Sequence, residues 1–224
     1  MKVNINELKD YILHNSTFAK EETIDIVLHD LMQVLISNKF DLNNLQVVGG
    51  ETSINFIGDD IVIRLTYVRY DPWGYPTISD YVSHSAAILQ PLFENKINTG
   101  DINYPTILGL KKLSIGNISE MEKEVTYIRL REDGYLFNGA DNKNNYGKDE
   151  KGEVYLINYK DLVYINDYKK RNDADYKEFV KRELEYHKKE CVELDKKYEE
   201  YLHFLIQFQA SLLKDSYNDT KKAK

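Results

Sequence analysis

The sequence predicts an α+β fold: a small antiparallel sheet, helices on either side of it in the chain, and one long helix at the end. Three observations lead there. Ile24, Val27, Leu28, Leu31, Val34 and Leu35 recur at helical spacing. From Leu45 to Tyr67 the pattern changes to short β-branched runs broken by Gly49-Gly50 and Gly58-Asp59-Asp60. Beyond residue 180, apolar and aromatic residues step alternately by four and three.

Composition narrows the function classes. With 42% hydrophobic and 12% aromatic residues in 224, the chain can bury a core. A formal net charge of −7 and a pI near 5.3 argue against broad electrostatic binding to nucleic acid or to acidic membranes. The single cysteine, Cys191, excludes an internal disulfide framework and a cysteine-rich zinc site. The first ten residues hold no apolar stretch of the signal-peptide kind. No apolar run approaches the roughly 20 residues of a membrane span. The expectation is a cytoplasmic protein.

In chain order, Asn6 to His14 predicts a short helix capped by Asn6. Thr17 to Lys39 predicts a longer one, with Glu21 and Glu22 favoured by the dipole at its start. Three strands follow between Leu45 and Tyr67. The stretch Val68 to Pro76 is an aromatic loop with the only tryptophan, Trp73, as a recognition anchor or a cover for neighbouring structure. Ser79 to Asn95 predicts a helix burying Tyr81, Val82, Ser85, Ala86, Ile88 and Leu89. Tyr104 to Leu110 is strand-like. Ser119 with Glu122 forms a capping box for a helix reaching Asp133 and closed by Gly134. A polar loop then leads to Asn145-Tyr146-Gly147, a turn at Asp149-Glu150-Lys151-Gly152, and a strand from Val154 to Ile157.

This order of segments resembles the protein-kinase fold. The resemblance covers roughly Leu45 to Ile165 and rests on R-E-D-G-Y-L-F-N-G-A-D-N-K-N-N-Y-G followed by E-V-Y-L-I-N-Y-K-D. It implies a two-lobed molecule with a small antiparallel N-lobe sheet, a reduced helical C-lobe and a long C-terminal helix. It also implies ATP and Mg²⁺ as cofactors. Gly49 and Gly50 correspond to the glycine-rich turn, where backbone N–H groups approach phosphates. Arg64 stands where kinases carry a phosphate-contacting lysine on the third strand. The helix after that strand normally pairs a mid-helix glutamate with the lysine. Here it offers Asp80 at its start, His84 and Gln90 in its body and Glu94 at its end.

Asn145 matches the metal-binding asparagine of the catalytic loop. Counting back from it puts Ala140 where the proton-accepting aspartate belongs, with Asp141 one residue late. The strand ends at Asn158 in place of the second metal-binding aspartate, and Asp161 is the next acid. Alanine accepts no proton. A neutral amide does not offset the charge of a magnesium ion as a carboxylate does. Loss of a general base lowers a rate by about 10²–10⁴-fold.

The leading reading is therefore a pseudokinase: a kinase-like protein, catalytically degenerate, that binds and regulates a protein partner. One alternative is an active phosphotransferase or nucleotidyltransferase acting on a protein, with Asp141 and Asp161 working from shifted positions. Another is an inhibitor or interaction protein unrelated to kinases that works through its C-terminal helical arm. Residues 1–44 form a helical extension, 45–110 the N-lobe, 111–166 the reduced C-lobe and 167–224 the terminal helix and tail. That helix, Asp173 to Lys214, is about 60 Å long at 1.5 Å per residue. Its seam through Val180, Leu184, His187, Cys191, Leu194, Tyr198, Tyr201, Leu205, Phe208 and Leu212 fits packing on its own domain, a protein partner or a homodimer through 180–212.

Overall fold

The computed structural model describes residues 1–16, 19–50, 52–67, 77–100, 104–137, 142–159 and 162–164. The loop bearing Trp73, the residues Ala140, Asp141 and Asp161, and the predicted terminal helix with Cys191 all lie outside the described residues. What is described is mixed α and β, built on a six-stranded antiparallel sheet.

The chain opens with β1 (Lys2–Val3), a single tight helical turn (Ile5–Glu7), α1 (Leu8–Asn15) and α2 (Ile24–Ser37). The first cap is Asn4, not the Asn6 that the sequence predicts. The Asn4 side chain accepts from Asn6 N at 2.9 Å, and Glu7 closes a capping box back onto Asn4 N. Asn6 is one of the residues the cap serves.

Helix α2 begins at Ile24, later than the predicted Thr17, after a turn at 21–23. It ends in a Schellman pair. Phe40 N donates to Leu35 O at 3.0 Å and Lys39 N to Ile36 O at 3.0 Å, with Lys39 at φ 62°. Ile24, Val27, Leu31 and Leu35 are buried, as their spacing predicts.

The sheet is formed by β2 (Leu45–Gly50), β3 (Ser53–Ile57), β4 (Ile61–Thr66), β5 (Phe93–Lys96) and β6 (Thr106–Lys111) together with β1. Its order is β1-β2-β3-β4-β6-β5. Alternation decides the two faces. Val47, Ile54, Phe56, Ile63 and Leu65 point into a core shared with Leu8, Ile12, Leu31 and Leu35 of the two helices. Each fully buried aliphatic or aromatic side chain there contributes about 1.5–3 kcal/mol. Val48, Asn55, Val62 and Arg64 alternate onto the opposite face.

The predicted helix from Ser79 to Asn95 is corrected. Only α3 (Ile78–Val82) is helical, and 93–96 is strand β5. Gln90 supplies part of the reason: its Nε2 donates to the carbonyls of Val82, Ser85 and Ile88 at 2.9, 3.3 and 3.1 Å. Pro91 supplies the rest, since its ring clashes with a helical carbonyl four residues back. Tyr81, Val82, Ser85, Ile88 and Leu89 are buried nonetheless, while Ala86 is exposed.

Helix α4 (Glu120–Glu132) has the predicted Ser119–Glu122 capping box and ends at Gly134, φ 89°. Then come β7 (Tyr135–Phe137), β8 (Tyr146–Lys148), β9 (Val154–Leu156) and β10 (Leu162–Tyr164). β8 and β9 form a hairpin, and β7 pairs with β10. Tyrosines hold this half together: Tyr81 Oη donates to Leu162 O at 2.6 Å, Tyr135 Oη to Tyr81 O, and Tyr159 Oη to Leu89 O. A phenol supplies bulk for the core and a donor for main-chain carbonyls within it.

The hairpin is bound to the rest of the chain on both of its strands. Ser114 and Lys148 exchange two backbone bonds of 2.9 Å. Leu89 N donates to Leu156 O at 2.9 Å, and Leu156 N to Ala87 O at 2.8 Å.

Candidate functional site

The free face of the sheet borders a cavity of about 510 Å³. Cross-strand register places Val48 opposite Asn55 and Asn55 opposite Arg64, one row across three strands. Ile57, Val62 and Leu110 make a second, apolar row. The remaining lining comes from Leu113 and Ile115 after β6, Asn144 and Asn145 before β8, and Ile157 and Asn158 after β9. One part of the wall is thus aliphatic and another carries amides and a guanidinium.

Arg64 links the two sides. Its Nε donates to Asn55 Oδ1 at 2.8 Å, its Nη1 donates to the carbonyl of Ile157, and its Cζ lies 5.7 Å from the centre of the Tyr159 ring. Burial pushes the guanidinium below its ordinary pKa, and Tyr159 opposes that shift. Burial likewise pushes the Tyr159 phenol up, with Arg64 pulling it back and Glu94 adding to the rise. Among the described residues, no carboxylate pairs with Arg64. Lys111, also on the lining, is matched by Glu150 at 3.0 Å.

Asn145 and Asn158 meet. Asn158 Nδ2 donates to Asn145 Oδ1 at 3.0 Å, and Ile157 N donates to Asn145 O at 2.8 Å. The local cause is an Asx turn: Asn142 Oδ1 accepts from Asn144 N at 3.0 Å and Asn142 O from Asn145 N at 3.0 Å, which aims Asn145 at the end of β9.

The glycines differ from expectation. Gly49 and Gly50 are the last residues of β2, paired with Ile54 and Ser53, so the chain reverses after them. Gly49 lines the cavity through its backbone and leaves room for the tip of the Tyr11 side chain. A Cβ there would come within 2.6 Å of Tyr11 Oη on α1.

The residues of the shortened helix have other duties. Glu94 accepts from Ile78 N and Ser79 N, both at 3.0 Å, and so caps α3. His84 stacks on Tyr164 with centroids 4.5 Å apart.

Magnesium demands octahedral oxygen ligands, and carboxylates normally supply the charge that binds it. Here the carbonyl oxygen of Asn145 already accepts the Asn158 amide. No carboxylate lines the cavity among the described residues, and no cluster of three or more His, Cys, Asp or Glu could hold a metal there. The described donor set does not fit magnesium.

Asn55 and Tyr159 belong to the site and were not singled out from sequence. Asn55 was legible: period two puts it on the same face as Arg64, as the polar residue between buried Ile54 and Phe56. For Tyr159 nothing local gives the contact, which crosses 95 residues of chain.

No family model matches the chain, and no curated protein matches it. Twelve solved chains are similar in structure. They include the bifunctional kinase–methyltransferase WbdD, at 16% identity and TM-score 0.31, covering 50% of this chain and 30% of that one. WbdD co-crystallised with a kinase inhibitor gives 13%, 0.35, 55% and 34% in the same order. Monomeric WbdD gives 14%, 0.33, 53% and 35%. This chain spans about a third of the length of those structures. At such scores the likeness decides neither fold nor function. Among the described residues no helix is long and apolar enough to cross a membrane.

Proposed function

We propose that this chain is a kinase-like protein that retains a nucleotide cavity, has lost phosphoryl transfer, and acts by binding and regulating a protein partner. The observation that carries the reading is convergence. Gly49, Arg64, Asn145 and Asn158 are far apart in sequence, were singled out together by the resemblance, and line one cavity. The apolar row of Ile57, Val62 and Leu110 suits a flat base and the Arg64 end suits phosphates. Asn158 in place of a metal-binding aspartate, and alanine at the expected proton acceptor, support the loss of catalysis.

The test is a thermal melt with and without ATP, beside label transfer from ATP to protein substrates in magnesium. ATP raises the melting temperature by mass action, Arg64→Met abolishes the rise, and no label is transferred. Label transfer that vanishes in Asp141→Ala overturns the degenerate reading in favour of an active phosphotransferase.

A further inference from the structure

We infer that the cavity takes its phosphorylated ligand without a divalent cation. The inference rests on the nucleotide reading above and deepens it. Kinases neutralise phosphate charge with metal ions held by one aspartate and one asparagine. Here the corresponding side chains, Asn145 and Asn158, are neutral and hydrogen-bonded to each other at 3.0 Å. Among the described lining no carboxylate repels a bare polyphosphate, and none is there to hold a metal on it.

The charge that faces it is already cationic. Arg64 is held by Asn55, by the Ile157 carbonyl and by the Tyr159 ring, none of which is an anion. A partly buried guanidinium with no carboxylate beside it among the described residues favours an incoming anion. Magnesium on the ligand would cancel part of that attraction and find no carboxylate in the described wall to reward it. Metal-free ATP is the better ligand for this electrostatic arrangement.

Titration calorimetry of the full chain tests this with three ligands: ATP in EDTA, ATP in excess magnesium, and adenosine. The expected result is that ATP binds in EDTA at least as tightly as in magnesium, and more tightly than adenosine. In Asn158→Asp, a carboxylate close to the phosphates weakens metal-free ATP by about tenfold or more and makes magnesium favourable. Adenosine binding and the melting temperature of that variant report separately on whether its cavity survives. Should Asn158→Asp fail to fold, the comparison on the natural chain still decides. ATP binding that requires magnesium overturns the inference and leaves the nucleotide reading standing. Absence of binding by both ATP and adenosine overturns the nucleotide reading, and the inference with it.

Discussion

Arg64→Lys separates two accounts of the basic residue on β4. If Arg64 only supplies charge, lysine replaces it at no loss. If the planar fork is what matters, lysine fails, because the guanidinium serves Asn55 Oδ1 through Nε at 2.8 Å and the Ile157 carbonyl through Nη1. An ammonium presents its donors from one point on a different stem and cannot span both acceptors. One charge-assisted hydrogen bond is lost, about 1.5–3 kcal/mol. Its acceptor is left facing a partly closed cavity. The contact with Tyr159 adds about 0.5–1 kcal/mol if the ammonium also leaves the ring. The expected destabilisation is about 2–4 kcal/mol, at about 2–4 °C per kcal/mol for a chain of this size. Urea unfolding at unchanged m-value reads the difference directly. A variant within about 0.5 kcal/mol of the parent, the range of an ordinary surface change, refutes the bridging role.

Two further predictions concern the scaffold. Lys39 adopts φ 62°, where a side chain is disfavoured, at the close of α2. Lys39→Gly is expected to raise stability by about 0.5–1 kcal/mol, read as a higher urea midpoint; a fall shows that the lysine makes contacts outweighing its backbone. The Glu122 carboxyl is held down to about 2 by Lys148 and by the Ser119 backbone and hydroxyl. A depressed carboxyl stabilises the fold fully above its ordinary value of about 4.5 and loses that contribution as pH falls toward 2. Urea midpoints should therefore drop across that window, and Glu122→Gln should flatten the drop; an unchanged slope assigns it to other groups.

Much of the sheet was legible because its residues obey one rule at a time. Between Leu45 and Thr66, alternation, turn chemistry and β-branching agree, and strands β2 to β4 fall where that agreement predicts. The α4 cap was equally legible, since Ser119 and Glu122 meet within a single turn. The stretch 83–92 was not. Its apolar spacing is helical, yet Gln90 and Pro91 act against the helix, and a side-chain amide that collects three carbonyls leaves no periodic trace. Strand β1 escaped notice because two residues carry no period and its pairing with Leu45 and Gln46 is long-range. Within the site, Asn145 and Asn158 come from the resemblance, and the structure places them 3.0 Å apart. The Arg64–Ile157 and Arg64–Tyr159 contacts depend on how the hairpin docks, which no local pattern encodes.

The fastening of the β8–β9 hairpin limits how the cavity can breathe. Both of its strands are tied to the remainder of the chain, through the Ser114–Lys148 pair on one side and the Ala87, Leu89 and Leu156 bonds on the other. Fraying at one tie leaves the second intact, so the hairpin stays docked while either pair of bonds holds. The amide and guanidinium wall and the aliphatic wall are thereby held to one another by main-chain bonds as well as by side chains.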